Sequence, residues 1–272
     1  MPTESRKLRL AVLISGSGTN LQALIDRAAE GSLAADLAVV VSDRPGAYGL
    51  TRAARANIPA HSVDYGSYLK MDLTRMQGDL PVRVEDLDRK QRILQHLDPA
   101  PRLERLSQMI MAEQELIGII DSYHPDLICL AGFMRLVTPY FIEHFNRDGQ
   151  FRIINVHPAL LPAFPGRRGY EDTFEYGCKW GGITIHFVDE GEDSGPIIAQ
   201  AVYPVWPADG IETVRARGLG LEYEMYAQVI NWAAAGRIHI ATSPSGRFLA
   251  SITDPAYPAV LESWVRQAFS AG

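Results

Sequence analysis

Two polar residues, Asn155 and His157, close an apolar stretch that the sequence predicts as a strand over residues 151–156. Because side chains alternate along a strand, Asn155 and His157 point to the same side of the chain. Polar residues at the carboxyl end of a strand in an open α/β sheet lie where such sheets bind ligands. An amide can donate hydrogen bonds, and an imidazole can take up or release a proton near neutral pH. The pair therefore predicts a catalytic site, with a structural histidine as the alternative.

An acidic run, Asp189-Glu190-Gly191-Glu192-Asp193, lies between two predicted strands and precedes Ser194-Gly195. Three interpretations are open: a solvated acidic turn, a metal-binding loop, or a loop that turns one carboxylate inward to orient an imidazole and accept a proton. The order of the carboxylates does not match the ligand spacing of an EF-hand. His186, in the strand before this run, is interpreted as a core histidine.

A short glycine-containing segment, Gly16-Ser17-Gly18-Thr19-Asn20, stands between the first predicted strand and the first predicted helix. Glycines let the backbone approach an anion, and the free N–H groups of a helix start favour phosphate. The segment matches neither the dinucleotide-binding fingerprint nor the P-loop. It predicts a phosphate site, with a tight turn capped by Thr19 as the alternative.

The order of the predicted elements indicates what must position these residues. Strands and helices alternate over the first 63 residues, which is the signal of a parallel sheet with helices on both faces. Later elements continue the sheet, and the chain ends with a hairpin and a helix. The predicted strands are 8–14, 37–41, 58–63, 127–130, 151–156, 182–188, 197–205, 237–242 and 247–253, and the predicted helices are 19–30, 48–57, 108–123, 138–146, 170–176, 211–235 and 256–269.

Residues 66–107 differ from this pattern, because charged residues are frequent there and aliphatic residues have no regular period. We interpret them as an insertion with short helices of its own. A solvated surface excursion is the first interpretation, and a lid or an oligomer contact is the alternative.

Composition limits the classes of function. The 272 residues carry 26 basic and 32 acidic side chains, for a net charge of −6, which disfavours non-specific binding to nucleic acid or to an anionic membrane. Two cysteines support neither a disulfide framework nor a cysteine zinc site. The apolar run near the N-terminus is too short for a signal peptide or a membrane span. We therefore expect a cytoplasmic protein without a metal centre.

Four segments together resemble the glycinamide ribonucleotide formyltransferases of the folate-dependent formyltransferase superfamily. The stretch Asn-x-His-Pro-x-Leu-Leu-Pro with a downstream Asp-x-Gly-Pro is typical of the superfamily, and the glycine-containing loop is typical of the ribonucleotide branch. The resemblance covers about residues 8–65 and 108–240. It is carried by residues 8–30, 127–137, 153–166 and 183–200.

The resemblance implies a Rossmann-like α/β fold, with a mostly parallel twisted sheet, helices on both faces, a helical or irregular insertion and a C-terminal extension. It also implies transfer of a formyl group from 10-formyltetrahydrofolate to the amino group of glycinamide ribonucleotide in purine biosynthesis. By this resemblance the catalytic residues are Asn155, His157 and Asp193. Asn155 and a protonated His157 would stabilise the oxyanion, and Asp193 would raise the pKa of His157 and help to relay the proton.

The resemblance assigns two groups of binding residues. The ribonucleotide and its phosphate are expected at Gly16, Gly18, Thr19, Asn20, Leu21, Leu219 and Glu222. The formyl-folate is expected at Met134, Arg135, Leu136, Val137, Asn155, Asp189, Glu190, Gly191, Glu192 and Asp193. The expected partners are therefore two small molecules, and a homodimer is left open.

Two departures from the family pattern leave questions about the ligands. Met109 stands where the family has a basic residue that contacts folate. Two alternatives are open: the contact is lost, or Arg102, Arg105 or another residue of the insertion supplies it. The loop 167–172 (RRGYED) lacks the usual His and Gln. It leaves open a different amine acceptor, such as a sugar nucleotide, or a formyltetrahydrofolate hydrolase. A non-enzymatic folate- or nucleotide-binding module is a third hypothesis.

The resemblance also suggests how the chain is divided. Residues 1–240 are expected to form one catalytic domain that contains the insertion at about 66–107. Residues 241–272 are expected to form a C-terminal extension, for which the family pattern offers no counterpart.

Overall fold

A seven-stranded sheet is the centre of the protein, for which a computed structural model describes residues 7–72, 80–147 and 149–270. The strand order is β3-β2-β1-β4-β5-β6-β7; the first five strands are parallel, and β6 and β7 pair antiparallel. The predicted mostly parallel α/β fold is confirmed. The strands are β1 (Leu8–Ile14), β2 (Ala35–Ser42), β3 (Ala60–Ser62), β4 (Leu127–Leu130), β5 (Ile153–His157), β6 (Trp180–Phe187) and β7 (Ile197–Pro204).

Helices cover both faces of the sheet. Along β1, Leu10 and Val12 pack with α1 and α8 on one face, whereas Ala11 and Leu13 pack with α5 and α6 on the other. This double burial explains why residues 10–14 of β1 form an unbroken apolar run in the sequence. The helices are α1 (Thr19–Ala29), α2 (Tyr48–Arg55), α3 (Tyr65–Tyr68), α4 (Val84–Asp88), α5 (Pro99–Asp121), α6 (Pro139–Phe145), α7 (Gly169–Glu175), α8 (Ile211–Ala234) and α9 (Tyr257–Ser270).

The insertion contains short helices, as expected, but the long helix that follows begins earlier than the sequence predicts. Helix α5 begins at Pro99, whereas the sequence pattern predicted a helix from residue 108. Proline is tolerated in the first turn of a helix, where its missing N–H has no intrahelical partner to lose. Part of the insertion, residues 73–79, lies outside the described residues.

The described part of the insertion is not a solvated excursion. Val84, Leu87, Ile93 and Leu94 form an apolar cluster with Leu106, Met109 and Ile110 of α5. Leu136 and Tyr140, which follow β4, pack against this cluster. The insertion is thus fixed to the segment that follows β4.

The C-terminal residues form the predicted hairpin and helix. Strands β8 (Ile238–Thr242) and β9 (Phe248–Ile252) pair antiparallel, and α9 follows them. Trp264 of α9 is buried in the main core, where its ring centroid lies 5.8 Å from that of Trp232. The division of the chain at residue 240 remains a proposal.

Candidate active site

The two strand-end residues and Asp193 come together at one end of the sheet. The loop between β6 and β7 folds back across β5, so that Asp193 Oδ2 lies 3.2 Å from His157 Nδ1. The same oxygen accepts a hydrogen bond of 2.7 Å from the Gly166 N–H. On the other side of the imidazole, His157 Nε2 donates to the carbonyl oxygen of Phe164 at 2.8 Å. Both ring nitrogens of His157 therefore face oxygen acceptors.

Two of the groups that surround His157 have unusual backbone conformations. Phe164 has φ 53° and Asp193 has φ 50°, in the left-handed region that residues with a Cβ rarely adopt. Such backbone strain persists only where surrounding contacts hold it, and it concentrates at functional sites. The carbonyl and the carboxylate that flank the ring are thus fixed by the fold.

Burial and charge oppose each other at this pair. Burial lowers the pKa of His157, and this effect outweighs the neighbouring Asp193 carboxylate and the Phe164 carbonyl, which raise it. Burial raises the pKa of Asp193, but His186, His157 and the Gly166 N–H together hold it below its ordinary value. Asp193 thus raises the pKa of His157, as the resemblance implies, but burial lowers this pKa by more, so near neutral pH the carboxylate is ionised and the ring is neutral.

Apolar walls and the predicted folate residues enclose the space beside these groups, here called the catalytic pocket. Its apolar side chains come from the insertion, from β4 and its loop, and from the residue after β6: Ile93, Leu130, Phe133, Leu136, Val137 and Val188. The predicted residues that line it are Met134, Arg135, Leu136, Val137, Asn155, Asp189, Gly191, Glu192 and Asp193.

Glu190 is the exception among the predicted folate residues. It lines a neighbouring cleft with Arg247 and Phe248, and it does not line the catalytic pocket. Its carbonyl oxygen accepts a hydrogen bond from the Arg92 N–H at 2.9 Å, which explains why this residue faces the insertion.

The basic residues expected to replace the family's folate contact lie elsewhere. Arg102 binds both carboxylate oxygens of Asp88, at 2.8 and 3.0 Å, and Arg105 donates to the Leu69 carbonyl. Neither lines the catalytic pocket. Arg135 does line it, and its Nε donates to the buried Asp43 carboxylate at 2.5 Å.

A second pocket, here called the glycine-loop pocket, surrounds the start of α1. Helix α1 begins at Thr19 with Gly18 in the capping position, and no side chain caps it, so the alternative of a Thr19 cap is wrong. Gly18 has φ 68°, and a Cβ there would lie 2.8 Å from the Gly49 Cα, so glycine is required. The uncapped N–H groups of the first turn can donate hydrogen bonds to a bound anion.

Most of the predicted ribonucleotide residues lie in this pocket. Gly16, Gly18, Thr19, Asn20, Leu219 and Glu222 line it. Leu21 does not, because its side chain is fully buried in the core, and only its backbone remains at the helix start. Arg44, Arg167 and Arg215 also line the pocket.

Glu222 connects α8 to the glycine-containing loop. Its Oε2 accepts from Asn20 Nδ2 at 2.6 Å, and its Oε1 accepts from the Tyr170 hydroxyl. Burial raises the pKa of Glu222, while these two hydrogen bonds lower it less. The network fixes Asn20, Tyr170 and Glu222 in one arrangement at the wall of the pocket.

The catalytic pocket and the glycine-loop pocket meet beside His157. They share five lining residues: Gly132, Met134, Val156, Pro158 and Arg167. Their loops are tied together, because the Met134 N–H donates to Ser15 Oγ at 2.7 Å. Two ligands bound in the two pockets would meet next to an amide, an imidazole and a carboxylate. This arrangement suits transfer of a group from one ligand to the other.

Residues 8–230 match the family model of the formyl transferases. The chain belongs to the formyl transferase family. The phosphoribosylglycinamide formyltransferase of Haemophilus influenzae is 34% identical to it over 85% of this chain and 90% of that protein. The phosphoribosylglycinamide formyltransferase of Escherichia coli is 33% identical over 85% of this chain and 89% of that protein.

Solved structures share the fold of this formyl transferase. Glycinamide ribonucleotide transformylase 1 from Symbiobacterium toebii superposes with a TM-score of 0.72 at 37% identity, over 93% of this chain and 98% of that chain. The phosphoribosylglycinamide formyltransferase of Coxiella burnetii superposes with a TM-score of 0.66 at 34% identity, over 85% and 89%. The family predicted from the sequence motifs is confirmed.

His186 is a site residue of this formyl transferase that sequence reasoning placed in the core. It is buried, as expected, but its Nε2 lies 3.2 Å from Asn155 Nδ2 and 3.5 Å from Asp193 Oδ1. Its Nδ1 donates to the Phe187 carbonyl at 2.9 Å, so in the neutral ring Nε2 accepts from Asn155. The sequence alone gives no signal for this role, because only the antiparallel register of β5 and β6 places position 186 beside 155.

Among the residues that the structure describes, there is no group of three or more His, Cys, Asp or Glu side chains that could hold a metal ion. No helix in the described ranges is long and apolar enough to cross a membrane.

Proposed function

We propose that this formyl transferase moves the formyl group of 10-formyltetrahydrofolate to the amino group of glycinamide ribonucleotide, a step of purine biosynthesis. Relatives named for this reaction match it over most of both chains. The observation that carries the proposal is that Asn155, His157 and Asp193 lie where the catalytic pocket joins the glycine-loop pocket. A cytoplasmic location and a homodimer stay predictions from the sequence.

The catalytic pocket fits a formyl-folate. Its apolar walls suit a flat heteroaromatic ring, and the backbone of the Asp189–Asp193 loop offers polar groups to the edge of that ring. Bound there, the formyl-folate would supply an activated formyl carbon. Asn155 and His157 lie on the side of the pocket where that carbon would have to meet an amine.

The glycine-loop pocket fits a phosphorylated ribose that bears an amine. The uncapped start of α1 and the arginines at positions 44, 167 and 215 would hold the phosphate. Glu222 is placed to accept from a ribose hydroxyl or from the amine. We propose that Gly16, Gly18, Thr19, Asn20 and Leu219, with the backbone of Leu21, complete this site.

Asn155 would stabilise the charge that develops on the formyl oxygen. One hydrogen of its amide is directed to His186 Nε2, which fixes the orientation of the amide. The second amide hydrogen is then available to the oxyanion, without reorganisation at the moment of reaction.

The reaction forms one C–N bond and breaks another, and one proton must leave the attacking amine and reach the departing nitrogen. Neutral His157 can take up that proton at Nδ1 and then give it to the departing folate nitrogen as the second C–N bond breaks. In between, Asp193 would accept a hydrogen bond from Nδ1 while Phe164 accepts from Nε2, so that the protonated ring satisfies both acceptors. Asp193 thus stabilises the His157 ring only while the ring carries the extra proton.

An acceptor-dependence assay tests this proposal. The protein is mixed with 10-formyltetrahydrofolate and one acceptor at a time, and tetrahydrofolate release is followed by absorbance. Turnover that requires glycinamide ribonucleotide is expected. Release of tetrahydrofolate at the same rate without any acceptor would indicate a hydrolase. Release only with the amine of a sugar nucleotide would indicate a different acceptor.

A further inference from the structure

Arg92, in the insertion, contacts the loop that carries Asp193. Its backbone N–H donates to the Glu190 carbonyl at 2.9 Å, and its Nη2 donates to Asp189 Oδ2 at 2.8 Å. Glu190 Oε2 lies 3.9 Å from the same nitrogen. One residue of the insertion thus holds the loop through both its main chain and its side chain.

Asp189 transmits this contact across the loop. While Oδ2 binds Arg92, Oδ1 accepts from Ser194 Oγ at 2.6 Å and from the Gly191 N–H at 3.2 Å. Asp193 lies between Gly191 and Ser194, so its position depends on both of these bonds. The loop is close-packed, because a Cβ at Gly191 would lie 2.2 Å from Ser194 Oγ.

The segment that presents Arg92 is itself anchored. Gln91 is buried, and its Oε1 accepts from the N–H groups of Ile93 and Leu94 at 3.0 and 2.8 Å. Its Nε2 donates to Asp88, and Asp88 is held by Arg102 of α5. The backbone at Arg92 is therefore held in place by the hydrogen bonds of the residues around it.

Charge gives the contact a further role. The loop places four carboxylates within five residues, and they repel one another when ionised. The positive charge of Arg92 lies next to two of these carboxylates, Asp189 and Glu190, and reduces the repulsion between them. From the other side, Arg247 after the hairpin turn donates to the Ser194 carbonyl at 3.4 Å.

From these contacts we propose that Arg92 is a positioning residue, which holds the Asp189–Ser194 loop so that Asp193 and the loop backbone meet the formyl donor correctly. The proposal rests on the proposed function for its kinetic consequence, but not for its structural one. It gives the insertion a task in the reaction, which is to fix one wall of the catalytic pocket.

Two measurements on Arg92→Ala test the proposal. Hydrogen exchange of the loop amides in the protein without substrates is expected to become about three- to tenfold faster, because an ion pair that also forms a hydrogen bond is lost. The KM for 10-formyltetrahydrofolate is expected to rise about fivefold, while the KM for the ribonucleotide stays unchanged. A loss of folded protein would lower kcat and leave both KM values unchanged. Arg92→Lys keeps the charge, so its KM for 10-formyltetrahydrofolate should lie between those of the wild type and Arg92→Ala.

Arg89→Ala is the matched control, because Arg89 lies in the same segment and pairs with Asp86 of that segment. It should change neither the loop exchange nor the KM. Unchanged loop exchange in Arg92→Ala, or faster exchange with an unchanged KM, would overturn the proposal. Wild-type protein without formyl transfer would overturn the proposed function, and the exchange measurement would then decide alone whether Arg92 holds the loop.

Discussion

Nδ1 of His157, at the end of β5, lies 3.2 Å from Oδ2 of Asp193, in the loop between β6 and β7. A single mostly parallel sheet makes this meeting possible, because β6 lies beside β5 and the loop after it folds back over the strand end. The carboxylate is held by a hydrogen bond of 2.7 Å from the Gly166 N–H. The pair is therefore a preformed acceptor for one proton.

Asp193→Asn keeps the size of the side chain and removes its charge. Because the protonated form of His157 then loses its stabilising partner, kcat should fall by about two to four orders of magnitude, while the melting temperature changes little. Steady-state rates and thermal unfolding measure the two effects. Asp121→Asn is the control, because it alters a second His–Asp pair, with His144, outside both pockets. Equal losses in the two variants would contradict the assigned role.

The pH dependence of the rate distinguishes a neutral from a protonated His157. Because burial lowers the pKa of His157 below its ordinary value, the neutral ring should predominate at pH 7. If this ring takes up the proton, kcat/KM rises with pH through an apparent pKa below about 6.5 and is level above it. A rate that falls between pH 5 and pH 7 would instead indicate that the protonated ring is the active form.

Glu222→Gln tests the wall of the glycine-loop pocket. The amide oxygen can still accept from Asn20 and the amide nitrogen can donate to the Tyr170 hydroxyl, so the fold should survive. The KM for glycinamide ribonucleotide should rise about tenfold, because a charged acceptor is lost, and the KM for the formyl-folate should not change. Glu224→Gln is the control, because Glu224 lies on the same helix as Glu222 but pairs with Arg27 of α1. A shift in the folate KM alone would refute this assignment.

Glu113 gives stability a distinctive pH dependence. This buried carboxyl accepts from the Thr138 N–H at 2.7 Å, and burial raises its pKa to about 8. A folded-state pKa above the unfolded one means that the contribution to stability is complete below the unfolded pKa and is lost as pH rises through the folded pKa. The free energy of unfolding should therefore fall from about pH 5 to pH 8, by up to about 1.4 kcal/mol per pH unit.

Glu113→Gln should remove that part of the pH dependence, because its amide does not titrate. Urea unfolding of both proteins at several pH values measures the difference. Parallel stability curves for wild type and variant would show that Glu113 is ionised throughout this range.

Local pattern was sufficient for much of the fold and of the site. The bounds of β1 follow from its apolar run, and the side-chain alternation that pairs Asn155 with His157 is a property of any strand. Asp193 needed the family resemblance, because four neighbouring carboxylates have the same local chemistry. The structure alone brings it to His157, through a loop that folds back over β5.

Other features depend on tertiary contacts that no local pattern encodes. His186 looks like any core histidine until the register of β5 and β6 is known. Arg92 looks like one of many charges in the insertion, and only packing of the Val84–Leu94 cluster on α5 brings it to Asp189. The start of α5 at Pro99 was missed because its first turns face the insertion instead of the sheet.

Transfer of a labelled formyl group tests the central claim most directly. The protein is mixed with 10-formyltetrahydrofolate that carries carbon-13 in the formyl group and with glycinamide ribonucleotide, and the products are analysed by mass spectrometry. The account predicts one labelled formyl group on the ribonucleotide for each tetrahydrofolate formed, and almost none with Asp193→Asn. Label recovered as free formate, or label transfer that survives in Asp193→Asn at the wild-type rate, would contradict it.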